Sequence, residues 1–517
     1  MYKKSRREFL TDVGCGMVAA SIGASVATDL GFSTAFANQG AERLTFGAME
    51  PLVSLMQETP AARLQPMLIE RLRNGTSLRD LVAAAALANA RAFGGEDYIG
   101  FHTLMAISPA YQMTTELTEA RRALPVLKVL YRNSNRIQEH GGVRNEVLHP
   151  VQAATLPAGN GAEALRDSVR RRDVNEAEGR FARLASGSAE DALNNLLTTV
   201  QDGNDVHRIV LPYRAWDLTG IIGQDQAHTL LRQSVRFCVR QETPAYAQNR
   251  SSMRAMIPRV VERHHLENYT PGRREADDAW VDQMSQTIFR SSPAQAAEAV
   301  GAALAEGFTP AAISEAISLA ANQLVLRDNG RPTAEGPNKP AGSIHGDGIG
   351  VHACDSANAW RNLARVSNNR NKAVCLVLGA YQVAEDRPGR GGDFLNWQPY
   401  PREEGRNQVR TVERDALLPA LNDAIRNRDQ ARACALVHHY GELGLPARPV
   451  LDMLIGFAIS EDGALHAEKY YRTTTEEFSL LRPAFRWRQI IALARVTASE
   501  FGYAAPGHAD ACRLLNV

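Results

Sequence analysis

The sequence predicts an all-α protein, and two features of it carry this prediction. Apolar residues recur three and four positions apart, as they do along one face of a helix, for example at Leu78, Leu81, Val82 and Ala85. Alternating runs of β-branched residues bounded by turns, the usual sign of strands, are missing, so negligible sheet is expected. We therefore expect about 18 to 20 helices of ordinary length. They would form one large unit over residues 38–517, or alternatively two helical lobes divided near residue 330.

Composition sets limits on the function. Hydrophobic residues make up 44% of the 517 residues, which is enough to fill the core of a large globular domain. The chain has 58 basic and 57 acidic residues and a net charge of +1. A protein that binds nucleic acid through its phosphates normally carries a basic excess, so no nucleic-acid partner is expected.

Residues 1–37 are expected to be an export signal and not part of the fold. A basic start is followed by a Gly- and Ala-rich apolar stretch over 13–36, which ends in the small-x-small pattern of Ala35 to Ala37. The pair Arg6 and Arg7, with Phe-Leu shortly after, resembles a twin-arginine signal. This resemblance implies the twin-arginine export machinery as a partner and a periplasmic or otherwise extracytoplasmic location. No later stretch holds 18 uninterrupted apolar residues, so stable membrane insertion is not expected.

Helix starts and loops can be placed from capping residues and breakers. Hydroxyl side chains that can cap free backbone amides precede apolar periodic segments at Ser77, Ser188, Ser292 and Thr309. Three stretches rich in Gly, Pro and Asn are predicted to be loops: 141–160, 327–350 and 386–412. Long ordered loops often form the walls of a site.

Histidine is the informative residue type. Three of the thirteen histidines share a context, because each is followed seven or eight residues later by Ala and an aromatic residue. This offset is about two helical turns, so the histidine and the pair lie near the same face. The sequence therefore predicts a recurring helix with His near its start. The three segments are His102 with Ala110-Tyr111, His207 with Ala215-Trp216, and His352 with Ala359-Trp360.

A fourth histidine, His466, has Lys469 three residues later, and on a helix the two side chains project from one face. A lysine ammonium is a poor neighbour for a metal-binding imidazole because like charges repel. It becomes a ligand if it is deprotonated, or if carbon dioxide converts it to a carbamate, which presents an anionic oxygen as a carboxylate does.

The order of these motifs resembles the questin oxidase-like family, an all-helical group. The segments that carry the resemblance are GFHTLMAISPAYQMTTELTEARRALPVL, GVHACDSANAWRNL and ALHAEK. Characterised members are similar to a mononuclear non-haem iron dioxygenase held by four histidines and a carbamylated lysine. The resemblance implies an iron cofactor, with dioxygen and a small-molecule substrate, for which aromatic compounds are one candidate class. The implied metal ligands are His102, His207, His352, His466 and Lys469, with His207 matched through the internal repeat.

Further roles can be assigned around these ligands. Lys469, Tyr470 and Arg208 are our candidates for catalytic residues, the last two as side chains that line a pocket. Carboxylates close in sequence are expected to orient the imidazoles by accepting hydrogen bonds from them. These carboxylates are Asp205, Asp355 and Glu468.

Alternatives remain open for the ligands and for the function. His149, His345 and the adjacent pair His438 and His439 could each replace one of the proposed ligands. The motifs H-E-x-x-H, G-x-S-x-G and C-x-x-C-H are missing, which argues against zincins, α/β-hydrolases and c-type haem proteins. The competing interpretation is a non-catalytic α-helical binding or scaffold protein of the periplasm. The sequence leaves the substrate, the metal's identity and the oligomeric state open.

Overall fold

The computed structural model describes residues 43–157, 159–344, 346, 348–389 and 392–517. The predicted export signal lies outside the described residues. Residues Thr45–Val517 form one compact unit. Within the described residues no helix is both long enough and apolar enough to cross a membrane.

The predicted all-α class is confirmed. Helices make up 72% of the described residues, which contain 23 α-helices and no strand. The number of helices exceeds our expectation because several are short. One of them, Glu403–Val409, lies inside a stretch predicted to be a loop, where prolines, glycines and charges hide a helix too short to show an apolar period.

The helices are numbered here in chain order. Those of the first half are α1 (Glu50–Glu58), α2 (Ala61–Arg73), α3 (Leu78–Phe93), α4 (Tyr98–Met113), α5 (Leu124–Glu139), α6 (Gly161–Arg170), α7 (Val174–Leu184), α8 (Ala189–Val200), α9 (Val206–Ile222), α10 (Ala227–Gln241), α11 (Pro244–Arg263) and α12 (Asp278–Arg290). Those of the second half are α13 (Pro293–Ala305), α14 (Pro310–Arg327), α15 (Ile349–Val366), α16 (Asn369–Asp386), α17 (Glu403–Val409), α18 (Leu417–Arg426), α19 (Gln430–Glu442), α20 (Arg448–Ser460), α21 (His466–Leu480), α22 (Trp487–Glu500) and α23 (His508–Leu515).

All four capping residues predicted from the sequence cap helices. Ser77 and Ser292 each form a capping box. In it, the serine hydroxyl accepts the backbone N–H of the third helical residue, and the side chain of that residue accepts the backbone N–H of the serine. Ser188 and Thr309 accept backbone N–H groups at the starts of α8 and α14. These local signals therefore fix the starts of α3, α8, α13 and α14.

Four helices, α4, α9, α15 and α21, form a ring at the centre of the fold. Each packs on the next, in the order α4, α9, α15, α21 and back to α4. Gln112 of α4 donates to Asp217 of α9 at 3.0 Å, and Asn358 of α15 donates to Glu477 of α21 at 2.9 Å. The histidines near the starts of the same helices are also paired, so the partners in each pair run in the same direction.

Candidate metal centre

The four predicted histidines meet where the central helices begin. His102, His207, His352 and His466 are contributed by α4, α9, α15 and α21 respectively, all within the first turn or so. Centroids of neighbouring rings are 4.7 to 5.8 Å apart around the cluster. The structure thus brings together four side chains that the sequence places in separate motifs.

The rings approach each other through their Nε2 atoms. The Nε2 atoms of His102 and His207 are 3.2 Å apart, and so are those of His352 and His466. His102 and His466 are buried, and the other two rings are partly buried. For comparison, two imidazole nitrogens that bind one ion at about 2.1 Å and at right angles are separated by about 3.0 Å.

Backbone oxygens determine the tautomers of two of these rings. The Nδ1 atom of His102 lies 2.6 Å from the carbonyl oxygen of Tyr98, and that of His466 lies 3.0 Å from the carbonyl oxygen of Ala464. A carbonyl can only accept, so Nδ1 carries the proton and donates in both rings. In the neutral ring, Nε2 then presents a lone pair to the centre of the cluster.

A carboxylate orients the third ring. Asp205, the N-cap of α9, accepts the backbone N–H of His207 at 3.0 Å and lies 3.2 Å from its Nδ1 atom. Burial alone would raise the pKa of Asp205, but His207 and two backbone amides hold that pKa well below its usual value. Asp205 is therefore an anionic acceptor that orients His207, as the sequence predicted.

A strained turn places His466 at the start of α21. Gly463, Ala464 and Leu465 have successive φ angles of 51°, 47° and 66°. The left-handed region is unfavourable for residues with a Cβ atom, by about 1–2 kcal/mol per residue. The turn directs the Ala464 carbonyl towards the His466 ring, so the strained backbone also fixes the orientation of this imidazole.

Lys469 lies one turn after His466 and is almost fully buried. Burial lowers the pKa of Lys469 to about 8, against the opposing effect of Asp355. Burial and the charge of Lys469 together lower the pKa of His102 well below its usual value, so the lysine is close to the cluster. Asp355 is buried, and it accepts a hydrogen bond from Thr473 at 2.8 Å.

Groups of both signs of charge surround the cluster, and Asp205 beside His207 is negative. Four helices point their N-termini, which carry partial positive charge, towards the imidazoles. Lys469 and the buried Arg214 are close enough for the arginine to lower the pKa of the lysine further. These positive groups oppose the effect of Asp205, so an additional anionic ligand would strengthen the attraction for a cation.

Two of the three predicted imidazole acceptors have other partners. Glu468 forms a buried ion pair with Lys128 of α5 at 2.6 Å, and Lys128 also donates to the carbonyl oxygens of Ala458 and Glu461. Asp355 contacts Thr473 and faces Lys469. The expectation that Glu468 and Asp355 orient imidazoles was wrong, because Glu468 pairs with Lys128 and Asp355 accepts from Thr473.

Arg208 does not serve as a pocket residue. Its Nε and Nη2 atoms donate to the carbonyl oxygens of Val200 and Thr199, at 3.1 and 2.7 Å. Its Nη1 atom donates to Gln241. The guanidinium therefore satisfies the free carbonyls at the end of α8, and the sequence assignment of Arg208 as a catalytic side chain is corrected.

Tyr470 is buried on α21, four residues after His466, and lines a cavity of about 20 Å³ together with Ala467 and Glu500. Burial raises the pKa of Tyr470 well above its usual value, so the phenol stays protonated. The space beside it is sufficient for roughly one water molecule. Its catalytic role stays a prediction.

The alternative ligands that the structure describes lie away from the cluster of four histidines. His438 and His439 line a separate cavity of about 280 Å³ and lie 3.3 and 3.8 Å from Glu442. His149 accepts a hydrogen bond from Arg232 through its backbone carbonyl. His345 falls outside the described residues.

Within the described part of the chain, no three His, Cys, Asp or Glu side chains are arranged to hold a metal ion together. The four imidazoles meet as two close pairs. Closing the two pairs around one ion would require small movements of the rings. Comparison of the chain with known protein families, with curated proteins and with solved structures finds no match.

Proposed function

We propose that this protein is a metal-dependent oxygenase with one non-haem iron ion. The substrates would be dioxygen and an organic small molecule, for which aromatic compounds remain the first candidate class. The residues proposed to hold the iron are His102, His207, His352, His466 and the carbamate of Lys469.

The observation that carries the proposal is the convergence of Nε2 lone pairs. In His102 and His466 the proton is held on Nδ1 by a backbone carbonyl, so each neutral ring turns a lone pair inward. The Nε2 atoms of His102 and His207 are 3.2 Å apart, and when Asp205 holds the proton of a neutral His207 on Nδ1, two lone pairs face each other and a cation between them relieves their repulsion. A proton is disfavoured on His102, because burial lowers its pKa. A metal ion satisfies both rings.

A carbamate on Lys469 would supply the proposed ion with an anionic ligand. Four neutral imidazoles supply no negative charge, and the helix N-termini oppose a cation. Near pH 8 a large share of Lys469 is neutral, and a neutral amine can attack carbon dioxide. The new N–C bond turns the neutral amine into an anionic carbamate and releases one proton, in addition to the proton that the ammonium loses beforehand. An anionic oxygen added to imidazole nitrogens favours a harder ion such as iron.

A bound iron ion would supply the one-electron chemistry that allows dioxygen to react with an organic molecule. The protein's own residues orient the ligands. Asp205 holds His207, the Ala464 carbonyl holds His466, and the ion pair between Lys128 and Glu468 fixes the first turn of α21 to α5. Substitution of such supporting groups typically weakens a metal site tenfold to a hundredfold.

We also propose that the protein is exported by the twin-arginine machinery to the periplasm or another extracytoplasmic space. The support is the sequence pattern around Arg6 and Arg7. This route carries proteins that are already folded, so the iron would be inserted in the cytoplasm.

Elemental analysis of the protein purified from its native export route tests the proposed function. We expect close to one iron per chain, and oxygen consumption when a suitable aromatic compound is added. A protein that is folded and carries no transition metal would contradict the proposal. It would favour the alternative, a non-catalytic helical binding or scaffold protein.

A further inference from the structure

A third cavity, of about 350 Å³, lies away from the four histidines, and none of them lines it; it shares Arg406 and His438 with the cavity of about 280 Å³. Residues of α12, α14, α17, α19 and α22 form its walls together with the segment 399–401. We propose that this cavity binds an amphipathic organic anion, in which an acid group is joined to an aromatic or aliphatic body. Its volume falls within the range of roughly 300–1,000 Å³ that is typical of small-molecule sites.

The charges of the cavity favour an anion. Arg327, Arg406 and Arg488 line it, and none of its described lining residues is acidic. Arg327 donates to Gln323 and to the carbonyl oxygen of Trp397 and has no carboxylate partner among the described residues. Arg406 has none there either, whereas Arg488 lies 3.4 Å from Asp282. The cavity therefore has positive charge that the described residues do not balance.

A buried donor without a partner points to the same chemistry. Gln323 is only 7% exposed, and its Oε1 atom accepts a hydrogen bond from Arg327 Nε at 3.2 Å. This bond fixes the orientation of the amide, because the reversed amide would place two donors against each other. The Nε2 atom, which is buried, has no hydrogen-bond partner. A ligand with acceptor oxygens in this cavity would satisfy it.

The remaining walls suit an apolar body. Leu326, Ile491 and the ring of Tyr400 line the cavity, with prolines on both sides of the tyrosine. The backbone N–H of Tyr400 donates to the carbonyl oxygen of Leu326 at 2.7 Å, and the guanidinium of Arg495 lies 4.1 Å from the ring centroid. The aromatic wall is thus held in place before any ligand binds.

Titration calorimetry with three probes tests the proposal. The first probe, 2-naphthoate, has both a carboxylate and an apolar aromatic body. The second, 2-naphthylmethanol, lacks the carboxylate, and the third, acetate, lacks the apolar body. We expect 2-naphthoate to bind at one site, and each of the other two to bind at least about tenfold more weakly. Added salt should weaken the binding of 2-naphthoate.

Two variants locate the binding. Arg406→Gln removes an exposed cation and Gln323→Leu removes the unpaired donor, so each should weaken 2-naphthoate binding about tenfold. Arg432→Gln makes the same charge change at an exposed position of α19 outside the cavity and should leave binding unchanged. Should Gln323→Leu fail to fold, Arg406→Gln still decides the question.

The proposal is overturned if 2-naphthylmethanol binds as tightly as 2-naphthoate. It is equally overturned if Arg406→Gln binds 2-naphthoate as tightly as the Arg432→Gln protein does. His466→Ala should leave 2-naphthoate binding unchanged. Loss of binding in that variant would place the anion at the histidine cluster and refute a separate site.

Discussion

The Nε2 atoms of His102 and His207 lie 3.2 Å apart, although 105 residues separate the two histidines in the chain. The contact is possible because α4 and α9 run side by side in the same direction, with a histidine near the start of each. Since the Tyr98 carbonyl keeps the proton of His102 on Nδ1, His102 presents a lone pair to His207, which either an N–H of His207 or a metal ion between the rings can satisfy.

Removing one imidazole should remove most of the metal. We expect His352→Ala and His466→Ala each to lower iron affinity by at least tenfold to a hundredfold, because each deletes a nitrogen that faces the centre of the cluster. Iron per chain after dialysis, measured by elemental analysis, checks this. His438→Ala, in the separate cavity, is the matched control. If all three variants retained equal iron, the cluster would not be the metal site.

The strained turn before His466 should tolerate glycine but not a β-branched residue. Ala464 has a φ of 47°, so Ala464→Val should lower the free energy of unfolding by about 1–2 kcal/mol and weaken iron binding. Ala464→Gly should stay within about 1 kcal/mol of the parent, since glycine tolerates this region but loses more entropy on folding. Denaturant unfolding followed by circular dichroism gives both values. Equal stabilities for the two variants would argue against strain at this position.

Helical periodicity explains which parts of the site could be predicted from the sequence. The repeated pattern of a histidine followed by Ala and an aromatic residue correctly identified three of the central helices. Ala110, Ala215 and Ala359 are fully buried, and the small side chain allows neighbouring helices to approach closely. The repeat therefore reflects the close packing of the four central helices, and this packing also brings the histidines together.

The same periodicity explains the errors. Adjacent residues on a helix point about 100° apart, so Arg208 turns away from His207 and reaches the end of α8. Glu468, two residues after His466, likewise points to Lys128 on another helix. Lys469, three residues after His466, stays near the cluster. A neighbour in sequence belongs to the site only when its spacing returns it to the same face.

Other features depend on tertiary contacts that no local pattern reports. The left-handed residues Ala464 and Leu465 carry no glycine signal of their own, and the Ala464 carbonyl acts on His466 only in the folded turn. The sequence gives one indication of the buried ion pair, because Lys128 is a charged residue within the apolar run LPVLKVL. Its partner Glu468 could be found only from the structure.

Protonation of His228 should destabilise the fold at acid pH. Burial, with help from Arg232, lowers the pKa of His228 to about 4, whereas the unfolded chain has a value near 6.5. Between these values the unfolded state binds the extra proton. The stability contributed by the neutral ring is therefore complete above about pH 6.5 and is lost as the pH falls towards 4, by roughly 1–3 kcal/mol. His228→Gln should show a flatter fall in urea-unfolding free energy from pH 7 to 4. His265→Asn, at an exposed histidine, should retain the parent slope, and identical slopes in all three proteins would refute the assignment.

Export should depend on the paired arginines. Replacing Arg6 and Arg7 together by lysine keeps the charge but removes the feature that the twin-arginine machinery reads. We expect the variant to stay in the cytoplasm with its signal uncleaved, whereas the parent protein should begin near Asn38 after export. Cell fractionation with N-terminal sequencing measures both. Replacing Lys3 and Lys4 by arginine is the control, and undiminished export of the Arg6 and Arg7 variant would exclude this route.

Iron binding should depend on carbon dioxide through Lys469. A carbamate forms only from the neutral amine, so its formation should increase as the pH approaches 8, the value to which burial lowers the pKa of Lys469. We expect bicarbonate-depleted protein to bind iron at least about tenfold more weakly and to recover when bicarbonate is added. Lys469→Ala should bind iron weakly with or without bicarbonate, because it lacks the anionic oxygen. Lys469→Glu, which supplies a carboxylate directly, should bind iron more tightly than Lys469→Ala, and its iron affinity should not depend on bicarbonate. Equilibrium dialysis of the three proteins, each with and without bicarbonate, distinguishes these cases, and parent affinity in Lys469→Ala would show that the four imidazoles hold the ion without the lysine.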